Sequence, residues 1–169
     1  MKVCKFGGSS VADDVQVAKI CDIVLSDPSR RIVVVSAPGK RNKADTKVTD
    51  MLIACANNAL SGKNTDADVR ALVERYAVIQ RGLELEESVL VDIEKDLRAR
   101  LAIDRSHSGM FMDSMKAAGE DNSARIVAAA FRARGVEAEY VGPKESGMLL
   151  TEEFGSAQLL PESYEKLAV

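Results

Sequence analysis

The chain has no tryptophan and only four phenylalanines and three tyrosines in 169 residues, which leaves its interior to aliphatic side chains. It has one histidine, so Ser/His or Cys/His catalysis would have to rest on His107. That residue lies in Arg105-Ser106-His107-Ser108-Gly109, which reads as a surface loop or helix start without the placed partners a triad needs. The three cysteines, Cys4, Cys21 and Cys55, are odd in number and lack metal-type spacing. Each stands among apolar neighbours in a predicted strand or helix, so buried, reduced thiols are expected, as in a cytoplasmic protein. No apolar run approaches the roughly 20 residues that span a bilayer. The N-terminus lacks the basic, apolar and small-residue regions of a secretion signal. Neither charge sign dominates: 23 Lys and Arg face 26 Asp and Glu, for a net charge of −3. That balance argues against a general nucleic-acid or membrane-surface role. Repeats and low-complexity linkers are also missing, and the length suits one domain with one core.

Against these absences stands the opening, Val3-Cys4-Lys5-Phe6-Gly7-Gly8-Ser9-Ser10-Val11. A short β-type run breaks into two glycines and two hydroxyls, and an amphipathic helix follows. Glycine lets the backbone approach a phosphate closely, and the first N–H groups of a helix point outward at its positive end. Lys5 adds a mobile full charge. The commoner explanation of such spacing is an ordinary strand–helix turn beside a solvated lysine.

Lys2 to Phe6 is a strand candidate, and Ser10 followed by Asp13 resembles a capping box. Val17, Ile20, Cys21, Val24 and Leu25 recur at helical spacing until Asp27-Pro28-Ser29 stops them. Ile32 to Val35 is continuously apolar and β-branched, as expected of a strand covered on both faces. Strand, helix, strand predicts a βαβ unit with a parallel sheet. A polar loop, Ser36 to Thr46, precedes a helix with Val48, Leu52, Cys55 and Ala59 on its buried stripe. Further helices are marked by Val69, Leu72, Val73 and Tyr76, by Leu90, Ile93, Leu97 and Leu101, and by Val127, Ala130 and Phe131 within a run from about Met112 to Arg134. Gly135 ends the last of these. Val136 to Val141 alternates like a strand, and Met148 to Thr151 reads as a short edge strand. Tyr164 to Val169 starts one more apolar segment, and an α/β chain stopping there is expected to be a piece of a longer one.

Two phosphate-binding motifs fail. The P-loop spacing counted back from Gly39-Lys40 puts Val34 at the first glycine and Arg41 at the Ser/Thr position. Gly7-Gly8 lacks the spaced glycines of a dinucleotide fingerprint. The second strand, however, ends at Ser36, and C-terminal strand ends line the ligand crevice of a parallel sheet. Ser36 is therefore expected beside the Lys5-Gly7-Gly8 turn, with Thr49 at the start of the next helix. An ordinary cap or loop hydroxyl explains either equally well. Gly119-Glu120-Asp121-Asn122-Ser123 interrupts a long helical pattern with a glycine that costs about 1 kcal/mol relative to alanine. It reads either as a kink that turns Glu120 into a cleft or, more simply, as a helix–helix junction.

Together these residues resemble the aspartokinases of the amino-acid-kinase family. Lys5-Phe6-Gly7-Gly8-Ser9-Ser10-Val11 is similar to that family's opening signature, with Ser9 where threonine is commoner. Val34-Val35-Ser36-Ala37, Lys47-Val48-Thr49-Asp50, Gly119-Glu120 with Ser123, and the stretch Leu149 to Gly155 are similar to its later elements, in the same order. The resemblance implies an incomplete three-layer αβα sandwich with a mostly parallel sheet, residues 1–169 being the N-terminal, aspartate-binding part. It also implies ATP-dependent phosphorylation of the β-carboxylate of L-aspartate, on the route to lysine, threonine and methionine.

In that reading Lys5 is catalytic; Lys5, Phe6, Gly7, Gly8 and Ser9 hold phosphate; and Ser36, Thr49 and Glu120 hold aspartate. Magnesium travels with ATP, no metal is bound by the protein itself, and the parent is a cytoplasmic homo-oligomer, a dimer, with no nucleic-acid or membrane partner. The family's later glycine-rich nucleotide segment, its carboxylate-gripping arginine and its ACT domains lie outside these residues. The isolated piece is therefore expected to be inactive. The other readings are a related family member acting on a carboxylate, carbamate or nucleoside phosphate, and a non-catalytic folding or oligomerisation module.

Overall fold

The structure, a computed structural model, describes residues 1–167. Strands β1 (Lys2–Phe6) and β2 (Arg30–Val35) pair in parallel, with Val3 opposite Ile32, Lys5 opposite Val34 and Phe6 opposite Val35. Between them run a 3₁₀ turn, Gly8–Val11, and helix α1, Asp14–Leu25. The expected cap at Ser10 is corrected. Ser10 is taken up in the 3₁₀ turn, where its N–H bonds to the Gly7 carbonyl at 2.9 Å. Asp13 caps the helix instead, accepting from Gln16 N at 2.9 Å. Val17, Ile20, Cys21 and Val24 are buried, whereas Leu25 falls off the stripe and is exposed.

Helices α2 (Val48–Leu60), α3 (Asp66–Gly82), α4 (Ser88–Leu101) and α5 (Ser108–Ala133) follow, with α6 (Glu162–Leu167) last. The long α5 packs on α2 and α4, and both α1 and α5 touch β2. Leu52, Cys55, Leu72, Ile93 and Leu97, all on the predicted stripes, are at most 1% exposed and form the core together with the equally buried Ile79, Phe111 and Met115. Full burial of one such leucine is worth about 1.5–3 kcal/mol. Cys21 and Cys55 are buried as expected, and Cys4 is half-buried. Burial pushes the Cys55 thiol up to about 11 and raises Cys21 as well.

Two parallel strands with helices against one face make an incomplete αβα sandwich. The expectation that β2 is covered on both faces fails among the described residues. Cys4, Phe6, Val33 and Val35 turn towards the helices, while Val3, Ile32 and Val34 are 63%, 42% and 46% exposed on the other face. A two-residue period fixes which side chains share a face and leaves open what covers it.

Three further corrections concern the second half. Gly119 does not split its helix: α5 runs unbroken through it, so there is no helix–helix junction. The glycine is there for proximity, since a Cβ would stand 2.6 Å from Ala37 Cβ and 3.2 Å from Leu52 Cδ1. Val136 to Val141 forms no strand. After Gly135 turns at a φ of +75°, this stretch lays Val136 and Ala138 on the core, and Arg132 Nη1 donates to the Ala138 carbonyl at 3.0 Å. Its alternation has a packing partner but no strand to pair with. The Met148 to Thr151 strand is reduced to one antiparallel bridge, Leu150 to Leu159. Of the segment Tyr164 to Val169, the first four residues lie in α6 with Tyr164 and Leu167 exposed, and 168–169 lie outside the described residues.

Candidate functional site

The turn after β1 and the loop after β2 meet backbone to backbone. Gly39 N donates to the Gly8 carbonyl at 2.8 Å, and Ser36 N donates to the Phe6 carbonyl at 3.1 Å, so the two segments continue the parallel pairing past the strand ends. A Cβ on Gly8 would lie 2.8 Å from the Ala37 carbonyl oxygen, and one on Gly39 would lie 2.8 Å from the Gly8 carbonyl carbon. Only glycine at both places permits this contact. Gly7 differs: its backbone is extended (φ −77°, ψ 173°), and the nearest group to a Cβ there would be Lys5 Nζ at 4.0 Å.

Where the two loops meet, Gly8, Ser9, Ala37, Pro38, Gly39, Lys40, Lys47 and Thr49 line a cavity of about 370 Å³. Its floor includes the N-terminus of α2, which has no side-chain cap. The Val48 N–H is taken by the Pro38 carbonyl at 3.0 Å, and the N–H groups that follow it, with the positive helix end, favour an anion there. Lys40 and Lys47 add two cationic side chains to the rim.

The expected site residues divide into groups. Gly8, Ser9 and Thr49 line the cavity directly. Lys5 stands on the open face of the sheet with its ammonium beside Gly7, and Phe6 is half-buried on the inner face. Ser36 sits at the end of β2, bonded through its backbone to Phe6. Glu120 reaches the same strand end from α5: its Oε1 accepts from Ala37 N at 3.2 Å. One carboxylate oxygen is thereby held against the loop. Tyr76 supports this part of α5 from below, its buried hydroxyl donating to the Gly119 carbonyl at 3.1 Å. Burial raises the Tyr76 phenol far above its ordinary value, with the nearby Glu120 charge adding to the shift.

Sequence reasoning missed Gly39 as a contact glycine, Lys40 and Lys47 as lining residues, and Arg75. The last carried a readable signal. Leu72, Arg75, Tyr76 and Ile79 follow the i, i+3, i+4, i+7 pattern, which places an arginine on the buried stripe of α3. Among the described residues, no group of three or more His, Cys, Asp or Glu is placed to hold a metal ion. No described helix is long and apolar enough to cross a membrane.

The glycine contact, the helix end and the flanking lysines make an α/β strand-end site that favours an anion, and the chain belongs to the amino acid kinase family, which it matches over residues 1–166. Aspartokinase 3 of Bacillus subtilis (strain 168) is 52% identical over 167 residues, a match that covers 99% of this chain and 37% of that protein. Lysine-sensitive aspartokinase 3 of Escherichia coli (strain K12) is 27% identical over 183 residues, covering 99% and 39%. The crystal structure of E. coli aspartokinase III in complex with aspartate and ADP matches 98% of this chain with a TM-score of 0.69 and 28% identity, over 36% of that chain. The chain thus spans well under half the length of these relatives.

Proposed function

We propose that this chain supplies the phosphate cradle and the aspartate-holding groups of an aspartate kinase, which transfers the γ-phosphoryl group of ATP to the β-carboxylate of L-aspartate. The product is 4-phospho-L-aspartate, the first intermediate towards lysine, threonine and methionine. The observation that carries this reading is the convergence of three segments on the Ala37–Gly39 backbone: the Gly8 turn, the start of α2, and Glu120 from α5.

In this mechanism the substrate carboxylate oxygen attacks the γ-phosphorus, and the bond to the β,γ-bridging oxygen breaks, releasing ADP. A carboxylate is already a nucleophile, so no strong base is required. Catalysis rests on positioning and charge. Lys5, beside Gly7, neutralises the transferring phosphoryl oxygens, and the Gly7–Ser9 backbone lies against them. Ser36 and Thr49 orient aspartate through their hydroxyls. Glu120, with one oxygen on Ala37 N, presents the other to the α-ammonium. Magnesium arrives with the nucleotide and supplies charge neutralisation. The enzyme works in the cytoplasm as a homo-oligomer, a dimer.

The test is calorimetric titration of the protein with L-aspartate, using asparagine and glutamate as controls. Selective aspartate binding is expected, weakened tenfold or more by Glu120→Ala with the fold intact by circular dichroism. Equal binding of all three amino acids would overturn the aspartate assignment and favour another carboxylate or phosphate acceptor of the same family.

A further inference from the structure

Arg75 is the buried charge that the proposed reaction leaves unused. It is 4% exposed on the inner stripe of α3 and lines no part of the cavity. Its guanidinium nevertheless reaches three residues on two separate stretches of chain. Nη1 donates to the Ala12 carbonyl at 2.9 Å, and Nη2 donates to the Gly39 carbonyl at 2.7 Å and lies 3.1 Å from Asp45 Oδ2. Ala12 closes the 3₁₀ turn that begins at Gly8, and Gly39 is the residue whose backbone rests on Gly8. One planar group therefore grips both backbone walls of the cavity from behind.

Asp45 completes the clamp. It accepts from the Arg41 backbone at 2.9 Å and from Arg41 Nε and Nη2 at 2.7 and 2.9 Å. The loop from Gly39 to Asp45 is thus folded back on itself and pinned to α3 at both ends.

A purely stabilising role fits this arrangement poorly. Burial pulls the Arg75 guanidinium down from its ordinary value, and its Nε is buried without a partner. An apolar side chain of similar length would avoid both costs, but it would leave the Ala12 and Gly39 carbonyls without this donor and Asp45 to Arg41 alone. An apolar residue could not hold two carbonyls from different loops at a fixed separation. Arginine's rigid fork can, and lysine's single ammonium reaches fewer acceptors.

We propose that Arg75 is a positioning residue: it sets the spacing between the Gly8–Ser9 turn and the Gly39–Lys40 loop so that the cavity is preformed for a phosphate-bearing ligand. This rests on the phosphotransfer reading above. Arg75 touches no ligand; it acts through the Gly39 and Ala12 carbonyls. Small displacements matter because phosphoryl transfer depends on placement.

The experiment compares Arg75→Met and Arg75→Lys with the parent, in the protein expressed from its natural reading frame. Three quantities are read: affinity for MgADP and for L-aspartate by calorimetry, exchange of the Gly39 amide by NMR, and cooperative melting. Arg75→Met is expected to weaken MgADP at least tenfold and aspartate by less than threefold, with faster Gly39 exchange and a retained cooperative melt. Arg75→Lys is expected to recover part of the MgADP affinity. Should Arg75→Met fail to fold, the same split is expected, smaller, in Arg75→Lys. Equal losses for the two ligands, or unchanged Gly39 exchange, would overturn the proposal. Failure of the parent to bind MgADP would strike the phosphotransfer reading instead, while Gly39 exchange would still report on the clamp.

Discussion

Along α2 and α5 the inner positions are sealed: Leu52, Cys55, Phe111 and Met115 are at most 1% exposed. Along β1 and β2 only the inner face is covered, and Val3, Ile32 and Val34 remain open on the other. Both regions follow their local periodicity, yet they differ in what completes them. A helix buries one stripe, so a single neighbouring layer satisfies it. A parallel sheet needs a layer on each face, and the described residues supply one. Apolar pattern therefore predicts burial well for these helices and only half of it for these strands.

The largest effect expected from this contrast is Leu52→Ala, which should cost about 2–5 kcal/mol through lost contacts and a cavity. Ile32→Ala on the open face should stay within about 0.5 kcal/mol, as surface substitutions do. Urea unfolding of both variants makes the comparison. An Ile32→Ala cost matching that of Leu52→Ala would mean the open face is covered in solution.

A smaller effect belongs to Gly119, where the helical layer meets the Ala37 loop. In an open helix Gly→Ala gains about 1 kcal/mol. Here the new Cβ would press on Ala37 Cβ and Leu52 Cδ1, and overpacking of typically 1–3 kcal/mol opposes that gain. A net loss of about 1 kcal/mol is expected for Gly119→Ala; a net gain would show that the contact yields.

The smallest effect concerns pH. The Arg41 side chain bonded to Asp45 holds that carboxyl well below the usual range, and the Arg41 backbone N–H and the Arg75 charge assist, while partial burial opposes them. A folded-state value below the unfolded one of about 3.9 stabilises the fold fully above that pH. The contribution drains away as the pH falls below it. The stability gap between parent and Asp45→Asn should therefore narrow below about pH 4. A gap that stays constant from pH 6 to pH 3 would remove the ion pair from the account.

Much of this was legible beforehand, for reasons specific to each residue. The Lys2–Phe6 strand, the α1 to α5 stripes and the Gly135 stop follow from local period and turn chemistry. Likeness places Glu120 at the site, and the structure supplies its setting: an unbroken helix in which Gly119 permits close approach to Ala37 and Leu52. Glycine's two uses, freedom of φ and absence of a side chain, look identical in one dimension. Val136 to Val141 alternates because alternate residues touch the core, which needs no strand partner. Arg75 stood in plain view on an apolar stripe, but its three partners come from residues 12, 39 and 45, and no local pattern joins those to α3.

The meeting of Gly8 with Gly39 bears on the paths along which such a sequence can drift. Gly39 is closed to larger residues by the Gly8 backbone, and Gly8 by the Ala37 carbonyl and the Gly39 backbone, so a change at one cannot be relieved by trimming a neighbouring side chain, since backbone atoms have nothing to trim. Compensation by a second substitution, the usual route by which packed pairs exchange shapes, is barred here. The two loops can diverge in length, charge and flanking residues, but at this point they are inherited as a single joint.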